Sequence, residues 1–171
     1  MELLLEISDA EVGTGLPART DKPYQLRRAA RAVIFNDKNQ IALLHVSNAG
    51  YYKLPGGGIE AGEQIADALQ REAKEEIGYA IRVTGEVGII IEYRNERDEL
   101  QISYCYLAQV AEGDGETAYE AEEIDEGMKP IWVDLDEAIK LVEESEPDVY
   151  VGKFIRLRDA TLLKRARELV V

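Results

Sequence analysis

Three glutamates in the middle of the chain, Glu72, Glu75 and Glu76, have the residue type and spacing that metal-ion chemistry requires. In a helix of about 100° per residue they fall on one arc, with Glu72 and Glu76 one turn apart. Like charges at this spacing destabilise a helix by about 0.2 to 0.5 kcal/mol per pair, so a compensating cation is expected. Mg²⁺ takes oxygen ligands and leaves positions for water and phosphates. The arc of glutamates therefore predicts a divalent-metal site.

A helix over residues 63–77 is predicted to position these glutamates. The segment contains no proline or glycine, and it is rich in Ala, Leu, Glu, Gln, Lys and Arg, which favour helix. Gly78 stands where a left-handed residue commonly ends a helix. The face predicted to point into the core comprises Ala66, Leu69, Ala73 and Ile77.

The same glutamates also fit a solvated helix surface held by ion pairs, which is the usual role of glutamate-rich helices. Four further residues at fixed offsets favour the metal site, namely Gly57, Glu63, Arg71 and Gly78. With them, residues 57–79 follow the pattern G-x5-E-x7-R-E-U-x-E-E-x-G-U, where U is bulky and apolar. This pattern resembles the signature of the Nudix hydrolases, the MutT-like family. The departures, Ala73 and Tyr79 at apolar positions, remove no charged member.

The resemblance implies an α/β fold, a Nudix α/β/α sandwich with a mixed β-sheet. Residues 1–171 are expected to form a single Nudix hydrolase domain, with residues 1–25 loosely assigned. The resemblance also implies that Mg²⁺, or Mn²⁺ in its place, is bound by the Gly57 carbonyl and by Glu63, Glu72, Glu75 and Glu76.

Further roles follow from the same resemblance. Arg71 is expected to orient the acids, and Glu72 or Glu123 to take the proton from the attacking water. Glu123 is the first choice for an additional acid from the loop over residues 111–127, followed by Glu122, Glu126 and Glu120. The residues expected near the substrate phosphates are Lys53, Gly56, Gly57 and Gly58.

Composition limits the partners. A formal net charge of -14 argues against binding to a nucleic acid polymer, which depends on clustered Lys and Arg. The chain has no apolar run long enough to cross a membrane, and residues 1–7 lack the features of a signal peptide.

The single cysteine, Cys105, excludes an internal disulfide and is predicted to be a buried structural thiol. A cytoplasmic protein is expected, and a homodimer or a monomer is consistent with the sequence.

The remaining elements follow from periodicity and turn residues. Residues 27–35 and 40–46 are predicted to form a hairpin, with the only histidine, His45, as a strand residue. Residues 80–94 and 100–110 are predicted to form a second hairpin with a bulge at Gly85 or Gly88. A strand over 128–133, a helix opened by an Asp134 capping box and ending near 144, and a final helix over 150–169 complete the chain. Residues 2–7 read as a short strand or a loose start, and 8–22 as a loop.

Hydrolysis of a pyrophosphate bond in a nucleoside diphosphate-linked small molecule is the function that the resemblance implies. Submotifs of the ADP-ribose, NADH and coenzyme A enzymes are missing, so a nucleoside triphosphate or an oxidised nucleotide is the leading substrate. ADP-ribose, a nucleotide sugar or a dinucleotide is the alternative. A non-catalytic Nudix ligand-sensing module and an acidic interaction protein without Mg²⁺ dependence belong to other classes.

Overall fold

The computed structural model describes residues 1–17 and 21–170, so the predicted loop over 8–22 lies partly outside the described residues. The strands are β1 (Leu3–Ile7), β2 (Gln25–Phe35), β3 (Ile41–Val46), β4 (Tyr51–Lys53), β5 (Gly56–Gly58), β6 (Tyr79–Arg94), β7 (Glu99–Gly113) and β8 (Met128–Val133). The helices are α1 (Asp9–Val12), α2 (Ile65–Ile77), α3 (Ala121–Asp125), α4 (Leu135–Glu144) and α5 (Tyr150–Val170), with one 3-10 turn at Asn95–Arg97.

All eight strands belong to one mixed sheet. The main path runs β1-β6-β7-β2-β3-β4, with β5 paired to β2 and β8 paired to β3. The β1–β6 and β2–β7 pairs are parallel, and the other pairs are antiparallel. Strand β2 is central, because it carries β7 along its whole length and the glycine strand β5 on the other side.

Helices cover both faces of the sheet. Successive residues of β2 point to opposite faces, and Val33 and Ile34 accordingly belong to different cores. Helix α2 packs on one face through Leu69, Ala73 and Ile77. Helices α4 and α5 pack on the other face, where Phe154 and Leu162 are fully buried. The predicted α/β/α sandwich with a mixed sheet is confirmed.

Helix α2 ends as predicted but differs at its start. Gly78 caps it in the left-handed region at φ 75°, and its N–H donates to the Lys74 carbonyl. The helix begins at Ile65, two residues later than predicted. Ala66 is exposed, so its assignment to the core was wrong, because the first turn extends beyond the packed part of the helix. Ala68 is buried in the core instead.

Both hairpins are confirmed, and the second has irregularities at both proposed glycines, next to Gly85 and next to Gly88.

Helix α1 forms where a loop was predicted, because Ser8 and Glu11 make a capping box at its start. The capping box predicted at Asp134 was wrong: Asp134 is the N-cap residue of α4 but its side chain makes no capping hydrogen bond. Across the described residues, no helix is both long and apolar enough to cross a membrane.

Candidate active site

A cleft of about 640 Å³ opens beside the glycine strand β5. Its walls come from the glutamate face of α2, from α3, from the first turns of α5 and from the β6–β7 turn. The predicted site residues that line it are Lys53, Gly56, Gly57, Gly58, Arg71, Glu72, Glu75, Glu76 and Glu123. Predicted site residues that lie far apart in the sequence, from Lys53 to Glu123, therefore line one cavity.

Glu76 is the most buried acid of the cleft, with 1 % of its surface exposed. Its Oε2 accepts a 2.6 Å hydrogen bond from the Gly56 N–H, and its Oε1 lies 3.3 Å from Lys53 Nζ. The pKa of Glu76 is raised to about 7, chiefly because the carboxyl is buried; Lys53 opposes this shift and the nearby Glu72 charge adds to it. One partly exposed lysine therefore does not fully compensate the Glu76 charge.

The glycine strand leaves space that side chains would fill. A Cβ placed on Gly57 would lie 2.7 Å from the Cδ and Oε2 atoms of Glu72, which is closer than real contacts allow. Gly56 has φ 132°, and a Cβ there would lie 2.7 Å from the Cα of Arg31. Glycine at both positions lets the backbone of β5 pass between the Glu72 carboxylate and strand β2.

Arg71 bonds to acids in α2 and just before it. Its Nε and Nη2 each donate a 3.0 Å hydrogen bond to the Glu63 carboxylate, and its Nη1 donates to Glu72 Oε1 at 2.7 Å. Nη2 also donates to the Gly58 carbonyl at 2.9 Å. The pKa of Arg71 is raised, chiefly by its hydrogen bond with Glu63, and this bond lowers the pKa of Glu63. Glu63 does not line the cleft, so its role as a ligand stays a prediction.

Helix α3 brings the predicted loop acid to the cleft. Glu123 lines it together with Glu120, Glu122 and Glu126, and Glu123 Oε2 accepts a 2.9 Å hydrogen bond from the Glu120 N–H. Two bonds fix the preceding loop to the end of α2: Tyr119 Oη donates to the Glu76 carbonyl, and the Ala118 N–H donates to the Glu75 carbonyl. Sequence reasoning missed Tyr119, the residue that fixes the position of this loop.

The donor set of the cleft fits a hard divalent cation, because it consists of glutamate oxygens and a backbone turn without Cβ atoms. Within residues 1–17 and 21–170, no three acidic, His or Cys side chains converge tightly enough to enclose an ion. The carboxylates of Glu63, Glu72 and Glu75 are held by Arg71, and that of Glu76 by Lys53.

Cations on the opposite side of the cleft were missed by sequence reasoning. The arginines that line it there are Arg27, Arg31, Arg94, Arg97 and Arg158. Arg27 and Arg31 stand four residues apart on β2, so strand alternation places them on one face. That spacing was the available signal. His45, in contrast, is a strand residue as predicted, stacks on Tyr52 and does not line the cleft.

A fully buried ionic network supports this arginine side. Glu92 accepts hydrogen bonds from Arg94 at 2.8 Å and from Gln101 at 2.6 Å, and Arg158 Nη1 lies 3.5 Å from it. Arg158 Nε donates to Asp159 at 2.6 Å. Asp159 Oδ2 in turn accepts a 2.8 Å bond from the Leu54 N–H, so the network reaches the chain immediately before the glycine strand.

Comparison with known proteins agrees with this geometry. A family profile described as NUDIX domain matches residues 25–151. The chain belongs to the Nudix family. It is a Nudix hydrolase, and its relatives include the human diphosphoinositol polyphosphate phosphohydrolase 3-beta, 28% identical over 135 residues that cover 75% of this chain and 77% of that protein. An 8-oxo-dGDP phosphatase NUDT18 of Danio rerio is 31% identical over 106 residues, 60% of this chain and 30% of that protein.

Solved Nudix structures share the fold. The MutT protein of Methanosarcina mazei Go1 superposes with a TM-score of 0.59 at 21% identity, covering 88% of this Nudix chain and 99% of that one. A UDP-X diphosphatase superposes with a TM-score of 0.58 at 17% identity, covering 94% and 70% respectively. Identities this low establish the fold alone.

Proposed function

We propose that this Nudix hydrolase catalyses the metal-dependent attack of water on a pyrophosphate bond of a small phosphorylated substrate. One observation supports the proposal most: three glutamates of one helix face, the glycine strand and an acid of helix α3 line a single cleft. Phosphoryl transfer is limited by positioning and by charge build-up, and this cleft has the parts to meet both.

The proposed metal ligands are the Gly57 carbonyl and the carboxylates of Glu72, Glu75 and Glu76, with Glu63 supporting the site. Mg²⁺ is the proposed ion, and Mn²⁺ is a possible replacement. When bound, such an ion polarises phosphoryl oxygens and lowers the pKa of a bound water. Arg71 contacts Glu63, Glu72 and Glu75, so its proposed role is to orient these acids rather than to bind the substrate.

Two residues are proposed as the general base, Glu72 and Glu123, because both line the cleft and both carry free lone pairs. Lys53, the last residue of β4, lies beside Glu76 and is proposed to contact a substrate phosphate when a metal ion is the partner of Glu76. The N–H group of Gly58, which faces away from β2, belongs to the proposed phosphate-binding backbone.

The substrate class is proposed in two forms. A nucleoside triphosphate or an oxidised nucleotide is the first, and the 8-oxo-dGDP phosphatase relative supports it. A diphosphoinositol polyphosphate is the second, because several relatives are named for that activity and the arginine side of the cleft favours a highly phosphorylated molecule.

The test is phosphate release from a panel of nucleoside triphosphates, oxidised nucleotides, nucleotide sugars, dinucleotides and a diphosphoinositol polyphosphate, with Mg²⁺ and with EDTA. We expect turnover of one class with Mg²⁺ alone. Glu76→Gln should lower kcat at least about 100-fold, because removing a ligand forfeits several kcal/mol of charge stabilisation.

Glu144→Gln is the matched control, because Glu144 is exposed on α4 and outside the cleft. It should retain wild-type kcat. Near-wild-type turnover by a folded Glu76→Gln protein would contradict the proposed metal site. Absence of turnover across the panel, with nucleotide binding still measurable by thermal shift, would favour a ligand-sensing module.

A further inference from the structure

Among the described residues, three arginines of the cleft have no carboxylate partner, Arg27, Arg31 and exposed Arg97, although the chain has 34 acidic residues and only 20 Lys and Arg. Arg94 pairs with Glu92 and Glu99, and Arg158 pairs with Asp159 and Glu92. Within the part of the chain that the structure describes, neither Arg27 nor Arg31 has an acid within ion-pair distance. The acids with the strongest influence on Arg31, Asp159 and Glu92, are already bound to these other arginines.

The burial of Arg27 and Arg31 makes the missing carboxylate costly, although Arg27 Nη1 donates a hydrogen bond to Gln101 Oε1. Arg31 is only 5 % exposed and Arg27 is half-buried. Burial lowers the pKa of Arg31 to about 10, and it also lowers the pKa of Arg27. Among the described residues, the Nε of Arg31 has no hydrogen-bond partner. An unpaired buried cation is unfavourable, so an external anion would stabilise this region.

The glycine strand lies between these arginines and the glutamates. The Gly56 N–H donates to Glu76, whereas the Gly56 carbonyl accepts a 2.9 Å bond from Arg31 Nη1. At the other end of the strand, a Cβ on Gly58 would lie 3.2 Å from Arg27 Nη2. A ligand bound along this strand therefore meets carboxylates on one side and guanidinium groups on the other.

We propose that Arg27 and Arg31, with exposed Arg97 at the rim, bind a further phosphate of the substrate, in addition to the pyrophosphate that is cleaved. This inference rests on the proposed function, because the proposed function puts the cleaved pyrophosphate bond at the glutamates. Guanidinium groups bind phosphate through paired N–H donors, and a phosphate neutralises two cations where an uncharged sugar or base neutralises none. The substrate is then a pyrophosphate compound with at least one additional phosphate.

Two sources supply that chemistry, a nucleoside polyphosphate and a phosphorylated cyclitol. Binding should be measured by calorimetry with ATP and with inositol hexakisphosphate. Inositol hexakisphosphate carries phosphates but no pyrophosphate bond, so its binding can be measured without hydrolysis. UDP-glucose, whose only phosphates are its diphosphate, is the reference ligand. The proteins are the wild type, Arg27→Gln and Arg82→Gln.

Arg27→Gln should weaken binding of ATP or of inositol hexakisphosphate at least about tenfold, since a hydrogen bond to a charged group is lost. Whichever ligand loses more identifies the source of the phosphate. UDP-glucose binding should change less than about twofold. Arg82→Gln removes the same charge from an exposed arginine that lies outside the cleft, and it should change none of the three affinities more than twofold.

Equal losses in Arg27→Gln and Arg82→Gln, or equal losses for all three ligands, would overturn the subsite. If Arg27→Gln does not fold, Arg97→Gln, at an exposed position, tests the same subsite with an expected loss of about threefold. The two proposals fail separately. Binding that depends on Arg27 without any turnover would overturn the hydrolase function alone, and turnover that is insensitive to Arg27 on every substrate would overturn the subsite alone.

Discussion

Two buried glutamates of this protein have opposite pKa shifts. Burial raises the pKa of Glu76 to about 7. Burial would also raise the pKa of Glu92, but Arg158 and Arg94 more than offset this effect and lower it. Glu92 is surrounded by two guanidinium groups, Gln101 and Ser103, whereas Glu76 has one backbone N–H and a lysine at 3.3 Å.

The difference separates an internal ion-pair network from a site that is open to a ligand. The charge of Glu92 is balanced by groups of the protein itself, as a structural role requires. The charge of Glu76 is balanced only in part, by Lys53 and the Gly56 N–H, as the proposed metal site requires. Arg27 and Arg31 pose the same problem with the opposite sign, because neither has a carboxylate partner among the described residues.

The largest expected effect is a difference in stability between the variants in which each glutamate is neutralised. Glu92→Gln should lower the free energy of unfolding by about 3 to 5 kcal/mol at pH 7, because it leaves buried arginine charges uncompensated. Glu76→Gln should change it by less than about 1 kcal/mol, because it removes a charge that burial disfavours. Urea unfolding of both variants without metal measures the contrast, and equal losses would contradict the assignment of Glu92 as balanced and Glu76 as unbalanced.

The pH dependence of stability sharpens the comparison. Glu76 binds a proton more tightly in the folded state, so its contribution is complete below about pH 4.5 and is lost as the pH rises to about 7. At about 1.4 kcal/mol per pKa unit, the loss is about 3 kcal/mol. Glu92 acts in the opposite direction, and its contribution is lost as the pH falls below about 4.5.

The measurement is the free energy of unfolding in EDTA between pH 4 and pH 8. The difference between the wild type and Glu76→Gln should favour the wild type at pH 5 and shrink toward pH 7.5. A difference that does not vary with pH would show that Glu76 does not titrate in this range.

A smaller effect is expected at the partly exposed pair of Arg71 and Glu63. Glu63→Gln should leave the free energy of unfolding nearly unchanged, because solvent screens the pair. It should lower kcat about tenfold, because Arg71 loses the group that fixes its orientation. Mg²⁺ affinity, measured by calorimetry, should be nearly unchanged. A loss of more than about tenfold in Mg²⁺ affinity would instead place Glu63 among the ligands.

Much of the acidic half of the site could be predicted from the sequence, because it depends on spacing within one helix and its preceding turn. Glu72, Glu75 and Glu76 lie at offsets that a regular helix converts into one face, and Gly57 and Gly78 have positions fixed by local geometry. Their roles as ligands stay predictions, as do the single domain, the homodimer and the cytoplasmic location.

The cationic half depends on pairing between distant segments: periodicity gives the face on which each arginine lies but not the segment that it meets. Arg158 of the final helix is fully buried against Glu92, 66 positions earlier in the chain. Its position three residues after buried Ile155 and four before buried Leu162 was the local signal that it lies on the core face. The error at Ala66 has a related cause. Periodicity gives the face of a helix that packs on the sheet, but not how many turns of that helix the sheet covers.

Gly56 bonds to both halves, through its N–H to Glu76 and through its carbonyl to Arg31. A metal ion bound by Glu76 would act on the N–H side of Gly56, and a phosphate bound by Arg31 would act on its carbonyl side. Metal binding and phosphate binding should therefore share a coupling free energy. Such coupling is reciprocal: Mg²⁺ should raise the affinity for a polyphosphate by the same factor by which the polyphosphate raises the affinity for Mg²⁺. A single residue without a side chain would then make the enzyme cooperative between its metal and its substrate.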